Sequence, residues 1–429
     1  MKVNKFLLSY NEAIGEFSVD FDKIKTPYKA IKRFVKLLDE VNDKRLEGMI
    51  EYPLNEILLI AFLAIMSGAK TWMDLARFGN IRLKWMKKFL PYNNGIPSHD
   101  TFRRVFSLIN PVELEKATVI FVTDFFEKVK KILKLEFKGK DQICIDGKEE
   151  RGTGRKYGTS EEIKNMQMLH VYDATNEICL VSKVIDKKTN EIPIAREIIK
   201  TMQLKDKIVS FDALHTQRET IELIVKQEGD YVGGLKTNQE NLYIEALSHF
   251  TSEKLLKIKN TKNYFRFETE KNHRQVEIRE MYRVDASQVF IDNNWANIRS
   301  IVCYVKRMTD YVTNATKEEL RLYISSLKDI TLIADAIRNH WSIENKLHWH
   351  LDMTFNEDEN MTMDKCAFAN LSIMNKMCLS LLKLMQPRYK VGLNSIKKCF
   401  GWEIQQMITE LLCYYSKSEI EDALIYNKK

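Results

Sequence analysis

Between residues 142 and 235 the chain alternates short apolar runs with helical patterns, and this order restricts the fold more than any other feature. The runs are rich in β-branched residues and predict five strands, at Gln142–Ile145, Gln167–Tyr172, Ile178–Ile185, Lys207–Phe211 and Tyr231–Leu235. Helical patterns at Pro193–Met202 and Thr216–Gln227 separate the third strand from the fourth and the fourth from the fifth. Because the strands are almost continuously apolar, we expect a mixed sheet with helices on its faces.

Two aspartates directly follow strands of this series, and a glutamate lies on a later helical segment. Asp146 follows the first strand in IDGK, Asp212 follows the fourth in SFDA, and Glu344 lies in HWSIEN. This order of elements and carboxylates is that of a ribonuclease H-like fold. The predicted fold class is therefore α/β, with a ribonuclease H-like mixed-sheet catalytic core.

Three carboxylates in this order are suited to metal-dependent phosphoryl transfer. Carboxylate oxygens are hard ligands that favour Mg²⁺ or Mn²⁺. Two such ions roughly 3.5–4 Å apart can activate an attacking oxygen and stabilise a leaving one. We therefore predict that Asp146, Asp212 and Glu344 are catalytic and metal-binding residues, with two Mg²⁺ or Mn²⁺ ions per active site.

Each of these residues also has an ordinary structural explanation. An Asp-Gly pair is a common turn signal, and Asp212 could cap the helix that follows it. His340, Glu344 and His348 are spaced by four and would share one helix face, which could be a packed polar face or a zinc site. The sequence contains no HExxH motif and no cluster of cysteines that would favour zinc.

The sequence predicts five regions. Residues 1–27 form a leader of unknown structure, and residues 28–138 form a helical N-terminal domain that we expect to bind DNA. The catalytic core comprises residues 139–239 and 326–385, and residues 386–429 form a C-terminal helical segment. Residues 240–325 are expected to be a β-rich insertion because they contain four alternating segments, at Tyr264–Glu268, Val276–Arg283, Ile301–Lys306 and Leu320–Ser325.

Charge and local composition indicate a polyanionic partner. The 429 residues carry a net charge of +8, which is compatible with nucleic acid binding. Basic residues interleaved with glycines follow Asp146, an arrangement that suits phosphate. The predicted DNA-binding residues are Lys148, Arg151, Arg155, Lys156, Lys236, Asn238 and Arg338.

Cysteine usage and hydropathy favour the cytosol. The seven cysteines are scattered without a C-x-x-C motif, which is typical of reduced thiols. The N-terminus lacks the apolar core of a signal peptide, and the longest apolar run, Ile57 to Met66, is too short to span a bilayer. We expect a soluble intracellular protein.

Several blocks of the chain also resemble a known family. IDGKEERGTGR, SFDALHTQ, DYVGGLKTNQENL, NHRQVEIRE and RNHWSIENKLHWHLDMTFNED are similar, in this order, to motifs of the ISAs-type insertion-sequence transposases, or H-repeat-associated proteins, of the DDE superfamily. YPLNEILLIAFLAIMSGAKTW and GIPSHDTFRRVFSLINP resemble the helical region that precedes them. The resemblance covers roughly residues 30–385.

The resemblance implies a DNA transposase that cuts insertion-sequence ends and transfers the strand into target DNA. It implies that Asp146, Asp212 and Glu344 are the DDE carboxylates and that a homodimer acts on paired ends of double-stranded DNA. It also implies a prokaryotic, nucleoid-associated protein of the cytoplasm. Many relatives carry Tyr, Arg and Lys around the glutamate, where this chain has Ile337, His340 and Leu351. Because His340 takes the position of the Arg, the resemblance implies that it is a DNA-binding residue that contacts phosphate. The alternatives are a ribonuclease H-like nuclease that only hydrolyses DNA and a domesticated DNA-binding protein.

Overall fold

The computed structural model describes residues 18–19, 29–133, 140–157, 161–185, 191–272, 275–289, 295–413 and 424–425. Strand β1 (Ser18–Val19) pairs antiparallel with Leu424–Ile425. The rest of the predicted leader lies outside the described residues. The side chains of residues 128–139, a segment that contains several lysines, are not described either.

The N-terminal region is helical, as the sequence predicts. Its helices are α1 (Lys29–Leu38), α2 (Leu54–Met66), α3 (Trp72–Met86), α4 (His99–Leu108) and α5 (Pro111–Leu133). All residues of α2 except Asn55 are buried, because its sequence is apolar on every side. Helix α3 begins with a capping box in which the Asp74 amide donates to Thr71 Oγ1 at 3.1 Å and the Thr71 amide donates to Asp74 Oδ2 at 3.0 Å.

A nine-stranded sheet forms the centre of the molecule. The remaining strands are β2 (Asp141–Glu150), β3 (Arg155–Tyr157), β4 (Glu161–Ile163), β5 (Met166–Asp173), β6 (Ile178–Ile185), β7 (Lys207–Phe211), β8 (Asp230–Leu235), β9 (Phe265–Asn272), β10 (Gln275–Asp285), β11 (Ser300–Asp310), β12 (Thr316–Ser325) and β13 (Leu424–Ile425). The sheet order is β6-β5-β2-β7-β8-β12-β11-β10-β9, and β3 pairs with β4 in a small separate sheet.

The first five strands of this sheet confirm the predicted ribonuclease H-like core. Strand β5 is antiparallel to both β2 and β6, whereas β2, β7 and β8 are parallel to one another. The two crossovers between the parallel strands contain helices, as the pattern β-β-β-α-β-α-β predicts. The fold is therefore α/β, with a mixed sheet preceded by a helical region.

The four strands predicted as an insertion continue the same sheet. Strand β12 pairs antiparallel with β8, with Leu322 opposite Leu235, and β11, β10 and β9 follow outward. The β-rich segment is thus joined to the core through backbone hydrogen bonds and does not form a sheet of its own. The exact domain boundaries stay a prediction.

Helices cover both faces of the sheet. They are α6 (Glu191–Thr201), α7 (Arg218–Lys226), α8 (Glu240–Ser248), α9 (Ser252–Lys259), α10 (Ile330–His340), a π-helix (Ile343–His348), α11 (Trp349–Phe355), α12 (Lys365–Tyr389), α13 (Leu393–Trp402) and α14 (Ile404–Cys413). The long helix α12 packs against α4, α5 and β6. One hydrophobic core therefore joins the N-terminal helices, the C-terminal helices and the π-helix. No described helix is long and apolar enough to cross a membrane.

Candidate active site

The pairing of β2 with β7 places Asp146 and Asp212 on adjacent strands. Ile145 pairs with Phe211 in parallel register, and each aspartate is the next residue along the chain. Neighbouring strands lie about 4.8 Å apart, so the two carboxylates start from the same level of the sheet.

Strand β2 continues past Asp146 to Glu150, so the predicted end of the strand and the Asp-Gly turn were wrong. Gly147 pairs with Leu169 of β5 and does not have a positive φ. A Cβ atom at Gly147 would lie 2.6 Å from Oε1 of Glu191. The Glu191 carboxylate at the start of α6 thus lies directly over Gly147, and the extended backbone runs straight through Asp146.

The Asp212 side chain is exposed but held by the backbone that follows it. Its Oδ1 accepts hydrogen bonds from the amides of Leu214 at 3.0 Å and His215 at 3.2 Å. Asp212 therefore directly follows a strand, as predicted, and also caps the turn that precedes α7. The side-chain amide Nδ2 of Asn238 donates to the carbonyl of Ala213 at 2.6 Å and ties the next loop to the same turn.

Glu344 lies in the π-helix between α10 and α11. Ile343 and Leu347 of this segment are buried in the core, and the Glu344 side chain is exposed. Single π-helical turns within α-helices occur frequently at functional sites. Because the helix changes its winding here, the i, i+4, i+8 relation predicted for a regular helix does not hold for His340, Glu344 and His348.

The three carboxylates create an excess of negative charge. Burial, together with the charges of Glu344 and Asp212, raises the pKa of Asp146 to about 7. Burial also raises the pKa of Glu344, against the opposing effect of Arg321. A carboxylate whose ionised form is disfavoured by neighbouring carboxylates provides an oxygen ligand and a field that favour a divalent cation. This donor set therefore fits Mg²⁺ or Mn²⁺.

A second acidic cluster lies farther along β2. Within the described part of the chain, Glu150, Asp352 and Asp358 are the trio of potential metal ligands whose ligand atoms all lie within 4.8 Å of one another. The Nζ atom of Lys148 lies 2.6 Å from Glu150 Oε2, 2.9 Å from Asp352 Oδ1 and 3.6 Å from Asp358 Oδ1. An ammonium group thus already stands among these carboxylates, and a metal ion could bind there only by displacing it.

Neither the predicted carboxylate trio nor the alternative zinc trio is as compact as this cluster. Among the described residues, the ligand atoms of Asp146, Asp212 and Glu344 are more widely spread, and so are those of His340, Glu344 and His348. The Glu344 side chain is exposed, whereas its neighbours Ile343 and Leu347 are buried in the core. The geometry gives the zinc hypothesis no support.

His340 does not have the surroundings predicted for a phosphate contact. Its ring is half-buried, and Nδ1 lies 3.1 Å from Ser210 Oγ. Burial lowers the pKa of His340 to about 4, although Asp212 acts in the opposite direction. The imidazole is therefore neutral at pH 7 and contacts Ser210 of β7, so we correct the predicted role of His340.

Lys148 is also unavailable to DNA, because its side chain is buried in the acidic cluster described above. Arg338 is exposed, but its guanidinium pairs with Glu268 at 3.0 Å and Glu270 at 2.7 Å. Arg155 donates to the carbonyls of Gly152 and Gly154 at 2.9 and 2.7 Å. These three residues have intramolecular partners that the sequence pattern did not reveal.

Three other predicted DNA contacts remain on the surface, and one lies outside the described side chains. Arg151, Lys236 and Asn238 are exposed. Lys156 lies in β3, but its side chain is not described.

One further residue near Glu344 was missed. Arg321 of β12 lies with its Cζ atom 4.4 Å from the centre of the Trp341 ring, and its charge acts on Glu344. The guanidinium donates to Glu319 Oε1 at 2.6 and 2.8 Å, which fixes its plane. Nothing in the local sequence of β12 marks Arg321 as a site residue, because its proximity to Glu344 arises only when β12 joins β8.

A pair of histidines next to Asp146 was also missed as a pair. His170 of β5 lies directly opposite Asp146 in the antiparallel register. Its Nδ1 lies 2.9 Å from Nε2 of His348, whose Nδ1 lies 3.9 Å from Asp146 Oδ2. Burial lowers the pKa of His348 to about 3 and that of His170 well below its ordinary value. In the sequence, His170 is a single histidine within an apolar strand and carries no signal.

Comparisons with known proteins agree with this architecture. Residues 137–381 match the family described as Transposase DDE domain, and residues 35–122 match the family described as DDE_Tnp_1-associated. A protein named YbfL from Escherichia coli K12 is 32% identical over 336 residues, covering 77% of this chain and 84% of its own length. The "H repeat-associated putative transposase YhhI" of the same organism is 31% identical, with 77% of this chain and 84% of its own length covered.

A solved structure, described as the piggyBac transposase synaptic complex with hairpin DNA, is a distant match. It is 12% identical, the match covers 94% of this chain and 80% of that chain, and the TM-score is 0.36. This likeness is too weak to support a conclusion. The family match spans more than half of the chain, and it includes Asp146, Asp212 and Glu344. The chain therefore belongs to the DDE transposases, in the group of ISAs-type, H-repeat-associated proteins.

Proposed function

We propose that this protein cuts DNA at the ends of an insertion sequence and joins the freed end to target DNA. The observation that carries the proposal is the parallel pairing of Ile145 with Phe211, which sets Asp146 and Asp212 on adjacent strands. Glu344 is close enough to Asp146 for its charge to raise the pKa of that carboxyl. The order and positions of these carboxylates fit the DDE family to which the chain belongs.

Asp146, Asp212 and Glu344 would hold two Mg²⁺ or Mn²⁺ ions. When bound, the ions supply Lewis-acid activation of the phosphate and of the attacking water or 3′-hydroxyl. The chain prepares this site in two ways. The backbone amides of Leu214 and His215 fix one oxygen of Asp212. The exposed Glu344 side chain would rotate towards the metal ions when they bind.

The DNA backbone would follow the exposed polar groups around these carboxylates. Arg151 lies beyond the end of β2, and Lys236 and Asn238 follow β8, next to the Asp212 turn. Arg321 presents a guanidinium beside Glu344, held by Trp341 and Glu319. Such groups contact phosphate without reading sequence, so we propose that they position the DNA and do not select it.

The remaining parts of the proposal rest on the family. The helical region 28–138 would bind the element ends, and two copies of the chain would act on paired ends. The protein would work in the prokaryotic cytoplasm, associated with the nucleoid.

A strand-transfer assay tests the proposal directly. The purified full-length chain is mixed with a labelled duplex whose element end is already cut, a supercoiled target and Mg²⁺. We expect a joined product that is absent in EDTA and absent when Ca²⁺, which should support binding only, replaces Mg²⁺. Cleavage without joining would indicate the nuclease, and binding without either reaction would indicate a domesticated DNA-binding protein.

A further inference from the structure

The two histidines beside Asp146 form a chain of contacts that ends at its carboxylate. His170 Nδ1 lies 2.9 Å from His348 Nε2, and His348 Nδ1 lies 3.9 Å from Asp146 Oδ2. The two rings have centres 5.0 Å apart and planes inclined by 50°. His170 is completely buried, and its second nitrogen, Nε2, has no hydrogen-bond partner within the described structure.

These contacts leave two arrangements of the ring protons. Each neutral ring carries one N–H group. In the first arrangement, His170 Nδ1–H donates to His348 Nε2, and the N–H of His348 is at Nδ1. In the second arrangement, His348 Nε2–H donates to His170 Nδ1, and the N–H of His170 is at Nε2. A nitrogen–nitrogen contact at 2.9 Å requires one ring to donate and the other to accept.

Two features favour the first arrangement. The second would leave a buried N–H of His170 without an acceptor, and a buried unsatisfied polar group is costly. The second would also turn the lone pair of His348 Nδ1 towards the carboxylate of Asp146. The first arrangement avoids both problems, because His170 then keeps only an unpaired acceptor and His348 presents an N–H to Asp146 Oδ2.

We propose that His170 fixes the tautomer of His348, and that His348 Nδ1–H in turn orients the Asp146 carboxylate for metal binding. His348 and His170 are thus positioning residues that act through Asp146. Groups that orient ligands in this way commonly change metal affinity or activity 10–100-fold when they are removed. The distance of 3.9 Å is longer than a hydrogen bond, and such contacts often shorten only in the loaded site. This inference rests on the metal-binding role proposed for Asp146.

The tautomer can be observed without any activity. Two-bond ¹H–¹⁵N spectra of the full-length protein with labelled histidine distinguish Nδ1–H from Nε2–H rings, and the chain has only 8 histidines. We expect both His170 and His348 to be Nδ1–H tautomers, assigned through His170→Gln and His348→Asn variants. An Nε2–H tautomer at His348 would overturn the proposal.

Metal affinity provides the second measurement. Free Mn²⁺ is titrated against the full-length protein without DNA and followed by electron paramagnetic resonance. His348→Leu should weaken Mn²⁺ binding about tenfold or more, and His170→Leu should weaken it by less. His348→Asn should restore most of the affinity, because the asparagine amide can place an N–H near the Nδ1 position. The matched control is His350→Leu, since His350 Nδ1 instead lies 3.3 Å from Thr354 Oγ1.

The two proposals fail differently. If Asp146→Asn abolishes Mn²⁺ binding and His348→Leu leaves it unchanged, the orienting role of the two histidines is wrong and the proposed active site stands. If Asp146→Asn leaves Mn²⁺ binding unchanged, the metal-binding role of Asp146 is wrong, and so is the orienting role of the two histidines.

Discussion

The Nζ atom of Lys148 lies 2.6 Å from Oε2 of Glu150, two positions farther along the same strand. Asp352 and Asp358 complete a cluster around this ammonium group at 2.9 and 3.6 Å. Burial alone would lower the pKa of Lys148, but Glu150 and Glu357 together raise the pKa above its usual value. Lys148 is therefore a charged structural residue beside the proposed active site.

Loss of the Lys148 charge should destabilise the protein. Lys148→Met would leave the buried carboxylate of Glu150 without its cation, and breaking a buried pair in this way costs about 3–5 kcal/mol. Lys148→Arg, which keeps the charge, should lose less. Urea denaturation of the full-length chain measures both variants. A Met variant as stable as the wild type would contradict the structural role of Lys148.

Salt dependence of DNA binding should separate the exposed basic residues from the buried one. Arg151→Ala and Lys236→Ala should each reduce the slope of log affinity against log salt by about 0.9, because each removes one phosphate contact. Lys148→Met, measured under conditions in which it is folded, should leave the slope unchanged, because the ammonium group that it removes is buried among carboxylates. Binding titrations on one duplex at several salt concentrations give the slopes. Unchanged slopes for Arg151→Ala and Lys236→Ala would place the DNA path elsewhere.

Gly152 should tolerate no side chain. A Cβ atom there would lie 2.5 Å from the carbonyl oxygen of Asp358 and 2.7 Å from that of Asn360. Both are backbone atoms that cannot move alone, so Gly152→Ala should cost about 1–3 kcal/mol. Gly48→Ala is the matched control, because no atom lies within 4 Å of its added Cβ. Equal unfolding free energies for the two variants would refute the close packing at Gly152.

The raised pKa of Asp146 predicts a pH-dependent effect on stability. Its value in the folded protein is about 7, against an ordinary 3.8. Between these pH values the folded state binds a proton that the unfolded chain releases. The stability that this proton contributes is therefore complete below about pH 4 and is lost as the pH rises through 7.

Asp146→Asn should reveal this effect. In EDTA the variant should be more stable than the wild type at pH 8, and the difference should shrink towards pH 5. Asp141→Asn on the same strand is the control, since Lys207 lies 3.5 Å from that carboxylate. Thermal denaturation across this pH range gives the comparison. A difference in stability that does not vary with pH would show that folding does not raise the pKa of Asp146.

Strong apolar runs explain why much of the fold could be predicted. All five core strands were located, and the positions of Asp146 and Asp212 followed from their order. The extension of β2 was missed because Asp-Gly usually marks a turn. Here the pairing of Asp146 to Glu150 with β5 keeps the backbone extended, and this pairing joins parts of the chain that the local pattern does not relate.

The misassigned residues share one physical cause. Whether a lysine or histidine faces DNA depends on contacts that sequence spacing does not contain. Lys148 is surrounded by Asp352 and Asp358, which follow it by some two hundred positions, and His340 at the end of α10 lies against Ser210 of β7. The roles of Arg321 and His170 were equally hidden, since both depend on which strands become neighbours.

Single-turnover cleavage of a labelled insertion-sequence end in Mg²⁺ tests the central claim most directly. We expect Asp146→Asn, Asp212→Asn and Glu344→Gln each to reduce cleavage to background, because each removes a charged ligand and keeps nearly the same shape. Binding of the same duplex in Ca²⁺ should be unchanged. Asp335→Asn, on the exposed side of α10 next to Arg266, should cut like the wild type. Cleavage by purified Asp146→Asn at the wild-type rate would contradict the assignment of the active site.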